Sequence, residues 1–296
     1  MSRKKKKGKP AQRAAKPGWW ASLGARMHAR LVRRVWLSVL AASTLLAGSV
    51  ALGKLETHVD AILLRDRPDA SVTLENLPAE IAGLAEADIR NQLADFLDRN
   101  WTDNHLCRDM ARRLGKSPWV RRVEHVRRTS AAVFQIRCDY RLPVAIVQQG
   151  SDFLLVDRFA VLLPGVYRYD PGWKLIQGVG AAAPGAGQGW AGADLSAALD
   201  ILAAIEAEPF SDQITAVLVD NFDGRRDARA SHIELATDQA GGRIRWGSAP
   251  GRELVENGVE QKLAILRENY HRTGRADAHH PVIDVATFPD RFTIPG

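Results

Sequence analysis

Residues 117–147 read SPWVRRVEHVRRTSAAVFQIRCDYRLPVAIV and carry the clearest strand pattern in the chain. Two strand-like runs lie at 122–127 and 132–140, and Thr129-Ser130 supplies a turn between them. The side chains of the second run alternate between two sets, Phe134, Ile136, Cys138 and Tyr140 on one side and Val133, Gln135, Arg137 and Asp139 on the other. Because successive side chains of a strand point to opposite faces, this alternation predicts a strand with one buried face.

The sequence before these runs predicts one more strand and two helices. The strand spans 71–77, the first helix spans 87–97 with Asp88 near its start, and the second helix spans 104–114. The order strand–helix–helix–strand–strand predicts a small α+β module in which two helices cover one face of a three-stranded sheet.

Further upstream, residues 35–53 (VWLSVLAASTLLAGSVALG) contain no ionisable side chain. As a helix they would be roughly 28 Å long, close to the ~30 Å thickness of the hydrocarbon core. Residues 1–34 contain 12 Lys or Arg and no acid, which predicts a cytoplasmic N-terminus and an exported C-terminus. A signal peptide cleaved near Ala47-Gly48-Ser49 is the alternative, but the long basic leader and the length of the apolar run favour an uncleaved anchor.

The positive charge of the chain is concentrated in this N-terminal tail. The 296 residues include 41 Lys or Arg and 34 Asp or Glu, a net charge of +7. Without the 12 bases of residues 1–34, the remainder has 29 bases against 34 acids. The basic character therefore requires no nucleic-acid partner. Two cysteines exclude both a disulfide-dense scaffold and a four-cysteine zinc site.

Residues 143–296 predict a second domain that is mixed, mainly antiparallel β with helices. Asp194 is expected to cap a helix over 194–205, and a last helix includes Val259 and Tyr270. The expected strands are 214–219, a hairpin of 233–236 and 243–246, and two closing strands at 282–286 and 291–294. The glycine-rich segment 178–192 is expected to be a flexible loop.

The sequence indicates no catalytic, cofactor-binding or metal-binding set. Three groups come nearest to a motif: Gly185-x-Gly187-x-Gly189, His279-His280 with Asp284, and Ser231-His232. The glycines are not followed at once by a capped helix, the histidines lack a His-x-x-x-His spacing, and the serine lacks the flanking glycines of a hydrolase elbow. We therefore expect a binding protein that needs no cofactor.

Cys107 and Cys138 leave one question open. In an oxidising compartment the two could be bridged, and closing a loop of ~30 residues would stabilise the module by about 3–4 kcal/mol. Cys138, however, lies on the apolar face with Phe134 and Ile136, where a free thiol is an ordinary core residue. Free thiols are slightly favoured.

Two stretches resemble the bacterial cell-division family FtsQ/DivIB. The first has a Pro-Trp-Val entry into a strand and an Arg-x-Pro-Val-Ala exit, and its matching residues are Pro118, Trp119, Val120, Val123, Arg141, Pro143, Val144 and Ala145. The second is the strand FLLVD at 153–157. The sequence departs from the family at Phe159, where glycine is common, in the glycine-rich insertion 178–192, and in the long hairpin after Asp220.

The resemblance implies a complete domain organisation. It comprises a basic cytoplasmic tail (1–34), a transmembrane helix (35–53), a stalk (54–69), a POTRA domain of β-α-α-β-β order (70–142) and a C-terminal β-rich domain (143–296). It also implies a single-pass inner-membrane protein whose bulk lies on the periplasmic side at the division septum. Such proteins are non-enzymatic scaffolds that link early division components to septal peptidoglycan synthesis.

In that family the coiled-coil pair FtsB/FtsL adds a strand to the C-terminal edge of the β-domain. The resemblance places that edge at 282–286 or 288–294, and the candidate contacts are the apolar anchors Phe288, Phe292 and Ile294 and the charged Arg291. Strand alternation predicts that about half of these residues face the core instead. Another POTRA-bearing envelope protein and a secreted protein with a cleaved leader are the alternative functions.

Overall fold

The computed structural model of the chain describes residues 35–55, 57–58, 70–97, 105–130, 132–287 and 292–294. The chain divides after Pro68 into two units. The first unit contains helix α1 (Val35–Leu55), which is long and apolar enough to cross a membrane and is alone in this among the described helices. An N-terminal signal segment has the same properties, so α1 is compatible with either.

Helix α1 accommodates its own polar side chains. The hydroxyl groups of Ser43, Thr44 and Ser49 donate hydrogen bonds of 2.8–2.9 Å to backbone carbonyl oxygens three residues earlier. A polar group without a partner is costly in hydrocarbon, and these groups have partners within the helix. The serine and threonine content of α1 is therefore compatible with a membrane span.

The second unit begins with five elements in the predicted order: β1 (Ser71–Leu74), α2 (Ala79–Leu97), α3 (Leu106–Leu114), β2 (Val120–Arg128) and β3 (Val133–Tyr140). Strand β3 lies in the centre of their sheet, parallel to β1 and antiparallel to β2. The predicted buried face of β3 is confirmed, since Phe134, Ile136, Cys138 and Tyr140 are all buried. They share a core with the apolar faces of α2 and α3.

Helix α2 begins at Ala79, eight residues earlier than the sequence analysis expects. Its buried positions recur every four residues at Ile81, Ala85, Ile89 and Leu93. Gly83 is a poor helix former and conceals the first half of this pattern. The prediction that Asp88 lies near the start of this helix is therefore wrong. Asp88 lies in the middle of α2 and accepts a hydrogen bond of 3.2 Å from the indole N–H of Trp119.

The rest of the second unit is a seven-stranded sheet with two helices. Its strands are β4 (Pro143–Gln149), β5 (Asp152–Asp157), β6 (Leu175–Gln177), β7 (Ile214–Leu218), β8 (Ile233–Thr237), β9 (Arg243–Gly247) and β10 (Val282–Asp284). Their order across the sheet is β10-β9-β8-β7-β6-β4-β5. Helices α4 (Ala193–Ile205) and α5 (Val259–Thr273) connect β6 to β7 and β9 to β10.

The expectation of a mainly antiparallel sheet is wrong. The pairs β4–β6, β6–β7 and β9–β10 are parallel, and the pairs β4–β5, β7–β8 and β8–β9 are antiparallel. Parallel neighbours need a long crossover, and α4 and α5 supply one each. The chain therefore folds as a mixed α+β protein with two mixed sheets.

The two faces of the large sheet belong to two different cores. One face packs against α4 and α5 through the strand residues Val147, Ile176, Val217, Leu235, Ile244 and Ile283. The other face contributes Ile146, Leu175, Ala216 and Ala236 to the core that also contains α2, α3 and β3. The two sheets thus share a core within the second unit.

The glycine-rich segment 178–192 is not a free loop. The N–H groups of Gly187 and Trp190 donate hydrogen bonds of 2.7 Å to the carbonyl oxygens of Leu162 and Ala160, and the indole of Trp190 is buried. Gly187 has a φ of +82° and lies so close to Pro118 that a Cβ atom there would be 3.2 Å from its Cα. The segment therefore packs the large sheet against the β2 entry.

Candidate partner-binding edge

Strand β10 forms one edge of the large sheet. On its inner side it pairs with β9, and on its outer side the described pairing is confined to Asp284, which exchanges hydrogen bonds of 2.8 and 2.9 Å with Thr293. The opposite edge, β5, is covered by the chain itself, because Leu163 and Tyr167 donate to backbone carbonyls of β5 at 2.9 and 2.8 Å. Of the two edges, β10 is therefore the more open to an added strand.

The C-terminal candidates Phe292 and Ile294 have different environments in the structure. Phe292 packs against the core beneath α4 and α5, and its ring centroid lies 5.7 Å from that of His280. Ile294 is 57% exposed. Phe288 and Arg291 lie outside the described residues. Ile294 is thus available to a partner, whereas Phe292 acts as an internal contact.

An ion-pair network anchors the loop that leads into β10. Arg275 donates two hydrogen bonds of 2.8 Å to the buried carboxylate of Asp277 and one of 2.6 Å to Asp238 in the β8–β9 turn. Thr237, the last residue of β8, donates to Asp277 at 3.1 Å. The start of β10 is therefore fastened to the neighbouring hairpin.

The same loop has unusual backbone and electrostatic features. Ala278 and His279 have φ values of +49° and +62°, in the left-handed region that few residues other than glycine adopt. Burial alone would raise the pKa of the Asp277 carboxyl, but the hydrogen bonds from Arg275, the His279 N–H and Thr237 outweigh burial and lower that pKa below its ordinary value of 3.8. Asp277 is therefore ionised at neutral pH and holds the strained turn in place.

The loop before α5 is fastened to the residues after β10. The backbone N–H of Asn257 donates to the carbonyl of Ala286 at 2.7 Å, and its side-chain amide donates to Val285 at 2.8 Å. Nearby, the fully buried Lys262 places its Nζ atom 3.4 Å from Glu256 and 5.2 Å from the ring centroid of Trp246. Burial lowers the pKa of Lys262 from 10.5, although the adjacent glutamates oppose this change.

The sequence contains a second glycine motif, Gly187-x-Gly189-x-x-Gly192, which was not identified above. It directly precedes α4. Asp194 does not cap this helix as expected. It lies in the first turn, and its buried carboxylate accepts the N–H of Gly180 at 2.8 Å and pairs with Arg225 at 3.0 Å. A negative charge of the protein itself therefore occupies the position where a phosphate would bind at a helix N-terminus.

The other near-motifs of the sequence have structural partners. The hydroxyl of Ser231 donates to the carbonyl of Ile233 at 2.7 Å and accepts the N–H of Gly247 at 3.0 Å. The N–H of His279 donates to Asp277 at 3.1 Å. Among the described residues, no three His, Cys, Asp or Glu side chains converge as metal ligands would.

Both cysteines are free thiols in the structure. Cys138 is 1% exposed, and burial raises the pKa of its thiol to about 11. Cys107 on α3 is partly exposed. The buried thiol is packed as a core side chain in the cluster that also contains Phe134 and Ile136.

A groove of about 680 Å³ lies where the two resembling stretches meet. Arg141, Val144 and Asp157 contribute to its lining, and Leu142 and Phe159 expose apolar surface in it. Arg121 and Arg158 place their guanidinium groups 5.5 and 5.3 Å from the centroid of the Phe159 ring. The groove is a second surface that a protein segment could contact.

Comparisons with family models and with curated proteins found no match for this chain. The likeness to the FtsQ/DivIB family therefore rests on the two stretches at 117–147 and 153–157.

Proposed function

We propose that the chain is a non-enzymatic, bitopic scaffold of the bacterial division machinery, of the FtsQ/DivIB type. In this proposal α1 crosses the inner membrane, residues 1–34 lie in the cytoplasm, and the chain after α1, from the stalk to residue 296, lies on the periplasmic side at the septum. The scaffold links early division components to septal peptidoglycan synthesis. Its partner is an FtsB/FtsL-like coiled-coil pair that adds a strand along β10.

The observation that carries the proposal is the order of elements along the chain. One apolar helix is followed by a β-α-α-β-β module and then by a sheet whose last strand lies at an edge. This is the order that the resemblance implies for an anchor, a POTRA domain and a partner-binding β-domain.

The physical chemistry of the C-terminal edge supports strand addition there. An edge strand offers backbone donors and acceptors to an incoming segment, and its alternate side chains supply specificity. The outer side of β10 has one described bridge, at Asp284, and Ile294 is exposed beside it. The Arg275–Asp277 network holds this edge in a defined geometry before a partner arrives.

Depletion of the protein in its native host tests the proposal. We expect chains or filaments of undivided cells, and a fluorescent fusion of the full chain should concentrate at the septum. Re-expression of the full chain should restore division, whereas a chain lacking residues 282–296 should localise to the membrane without restoring it. Normal division on depletion, together with a diffuse envelope signal, would contradict the proposal.

A secreted protein with a cleaved leader is the second candidate, because α1 lies near the N-terminus and contains Ala47-Gly48-Ser49. Mass spectrometry of the mature N-terminus separates the two. An intact N-terminus in the membrane fraction favours the anchored scaffold, and a start near Val50 in the soluble envelope fraction favours secretion.

A further inference from the structure

The loop between β9 and α5, residues 248–258, exposes two adjacent apolar side chains. Leu254 and Val255 are 94% and 95% exposed, more than any other large apolar side chain described in residues 69–296. Exposed apolar surface of this kind gains free energy when a partner removes it from water. The tip of the loop is therefore a candidate anchor for binding.

The base of the loop is fixed, although its tip is exposed. The backbone N–H and the hydroxyl of Ser248 donate to the carboxylate of Glu256 at 2.7 and 3.1 Å, and Lys262 lies 3.4 Å from the same carboxylate. Arg252 donates to Asp223 at 3.0 Å. A partner that binds such a tip loses little conformational entropy in ordering it.

The loop tip lies beside the C-terminal edge. Asn257, two residues after Val255, is hydrogen-bonded through its backbone and its side chain to Ala286 and Val285, directly after β10. Because consecutive Cα atoms are about 3.8 Å apart, Val255 lies within about 8 Å of Asn257. One partner of ordinary interface size, about 800 Å² per side, can cover the tip and the edge together.

We propose that Leu254 and Val255 anchor the same protein partner that adds a strand at the β10 edge. This inference rests on the proposed function, since it concerns the partner of that edge. Arg252, the one basic residue of this loop, is paired with Asp223, and Glu253 adds a negative charge beside the two apolar residues, so the tip offers no basic patch to an anionic lipid surface. A two-residue tip is also too small to hold a second copy of the chain alone, because stable interfaces bury about 1,200 Å² or more.

Photocrosslinking with the full-length protein in living cells of the native host tests the inference. A photoreactive amino acid replaces Val255 in the loop, Ile294 at the edge, or Val166 as a control. Val166 is also well exposed but follows β5 at the far edge of the sheet. We expect the first two positions to give adducts with the same protein, identified by mass spectrometry, and the control position to give none.

A substitution in the loop then tests whether the anchor contributes to binding at the edge. Leu254→Asp should reduce the adduct formed from position 294 at least fivefold, whereas Leu254→Met should leave it unchanged. Both variants should keep the wild-type unfolding temperature, because the side chain makes no core contact.

The outcomes distinguish this inference from the proposed function. An adduct from position 294 without one from position 255 would overturn the loop anchor and leave the edge scaffold standing. An adduct from position 255 alone would overturn the shared surface and the edge pairing together, as would no adduct from either position. An adduct with a lipid or with a second copy of the chain from position 255 would also overturn the inference.

Discussion

Arg141 donates a hydrogen bond of 2.8 Å from Nη1 to Oδ2 of Asp157, whose side chain is only 2% exposed. The other carboxylate oxygen accepts the N–H groups of Phe159 and Val161 at 2.9 and 2.8 Å. Arg141 lies between β3 and β4, and Asp157 ends β5. This ion pair therefore joins the two stretches that carry the sequence resemblance and fixes the turn after β5 against the passage into the large sheet.

Replacing Asp157 should destabilise the second unit. Asp157→Asn keeps the acceptor for the turn but leaves the mostly buried Arg141 without a counter-charge, so we expect the free energy of unfolding to fall by about 3 kcal/mol. Urea unfolding of the full-length protein in detergent, followed by tryptophan fluorescence, measures this change. Asp152→Asn, at the exposed start of the same strand, is the control and should change the free energy by less than about 0.5 kcal/mol. Equal effects of the two variants would contradict the role given to the ion pair.

The ionised Asp277 carboxylate should stabilise the fold at neutral pH, and this stabilisation should be lost in acid. Its folded pKa is below its ordinary value, so its contribution is fully present above about pH 4 and is lost as the pH falls through the folded pKa. Asp277→Asn should lower the free energy of unfolding at pH 7 by about 3 kcal/mol, and this difference should shrink below pH 4. Asp238→Asn removes the exposed partner of the same arginine and should cost about 1 kcal/mol or less. A difference for Asp277→Asn that persists unchanged at pH 2 would count against this account.

Removing the buried charge of Lys262 should not weaken the protein. Lys262→Met keeps the volume of the side chain and removes the cost of burying an ammonium group, and Glu256 keeps its bonds to Ser248. We expect no loss and up to about 2 kcal/mol of gained stability at pH 7. The pKa of Lys262 is lower in the folded than in the unfolded protein, so the free energy of unfolding of the wild type should rise with pH between these two pKa values. The difference in free energy of unfolding between the wild type and Lys262→Met should therefore become smaller over this pH range. Lys116→Met, at an exposed lysine, should not show this narrowing, and a loss of more than about 1 kcal/mol in Lys262→Met would show that the lysine stabilises the fold.

The two thiols should differ in reactivity. Burial raises the pKa of Cys138 to about 11, so its thiolate is scarce at pH 8 and its sulfur is inaccessible. A thiol reagent at pH 8 should therefore modify Cys107 in the native protein and reach Cys138 only in urea. Cys107→Ser should abolish native labelling and leave one reactive thiol in urea. If the wild-type protein shows no free thiol in urea without reductant, the two cysteines are bridged instead.

Elements that depend on short, regular patterns were predictable from the sequence. The alternation in β3, the β8–β9 hairpin and the apolar spacing of α5 all appear in the structure at or near the expected residues. These elements report their own periodicity, so no knowledge of distant contacts is needed to identify them.

Features that depend on distant partners were missed or misassigned. The start of α2 is the exception, since Gly83 within the helix conceals it. Two of the three parallel pairs, β6–β7 and β9–β10, are joined by the crossover helices α4 and α5, a consequence that the element order already contained. The third parallel pair, β4–β6, brings together strands that are separated in the sequence by β5 and the segment after it. The residues next to Asp194 in the sequence favour a helix cap, yet the partner of its carboxylate, Arg225, lies 31 residues away. The left-handed backbone near Phe159 is found at Ala160, with a φ of +57°, one residue after the position where the family often has glycine.

The candidate edge shows the same limit. Phe292 and Ile294 are both apolar and lie two residues apart, so the strand pattern in the sequence does not distinguish which of them packs against the core. The answer depends on the bridge between Asp284 and Thr293, which orients the segment 292–294 along β10. Leu254 and Val255 went unnoticed because an apolar pair within a loop has no period to reveal it.

The strand order of the large sheet has a consequence for biosynthesis. From β4 onward the strands lie side by side in nearly the order in which they are made, with β5 alone on the far side of β4. A nascent chain can therefore lay down this sheet progressively from one side, and β10 joins last, after α5 has emerged. The β10 edge, proposed above as the partner-binding site, therefore cannot form until residues 143–284 have all been synthesised, and a nascent chain that stops short of β10 does not present it.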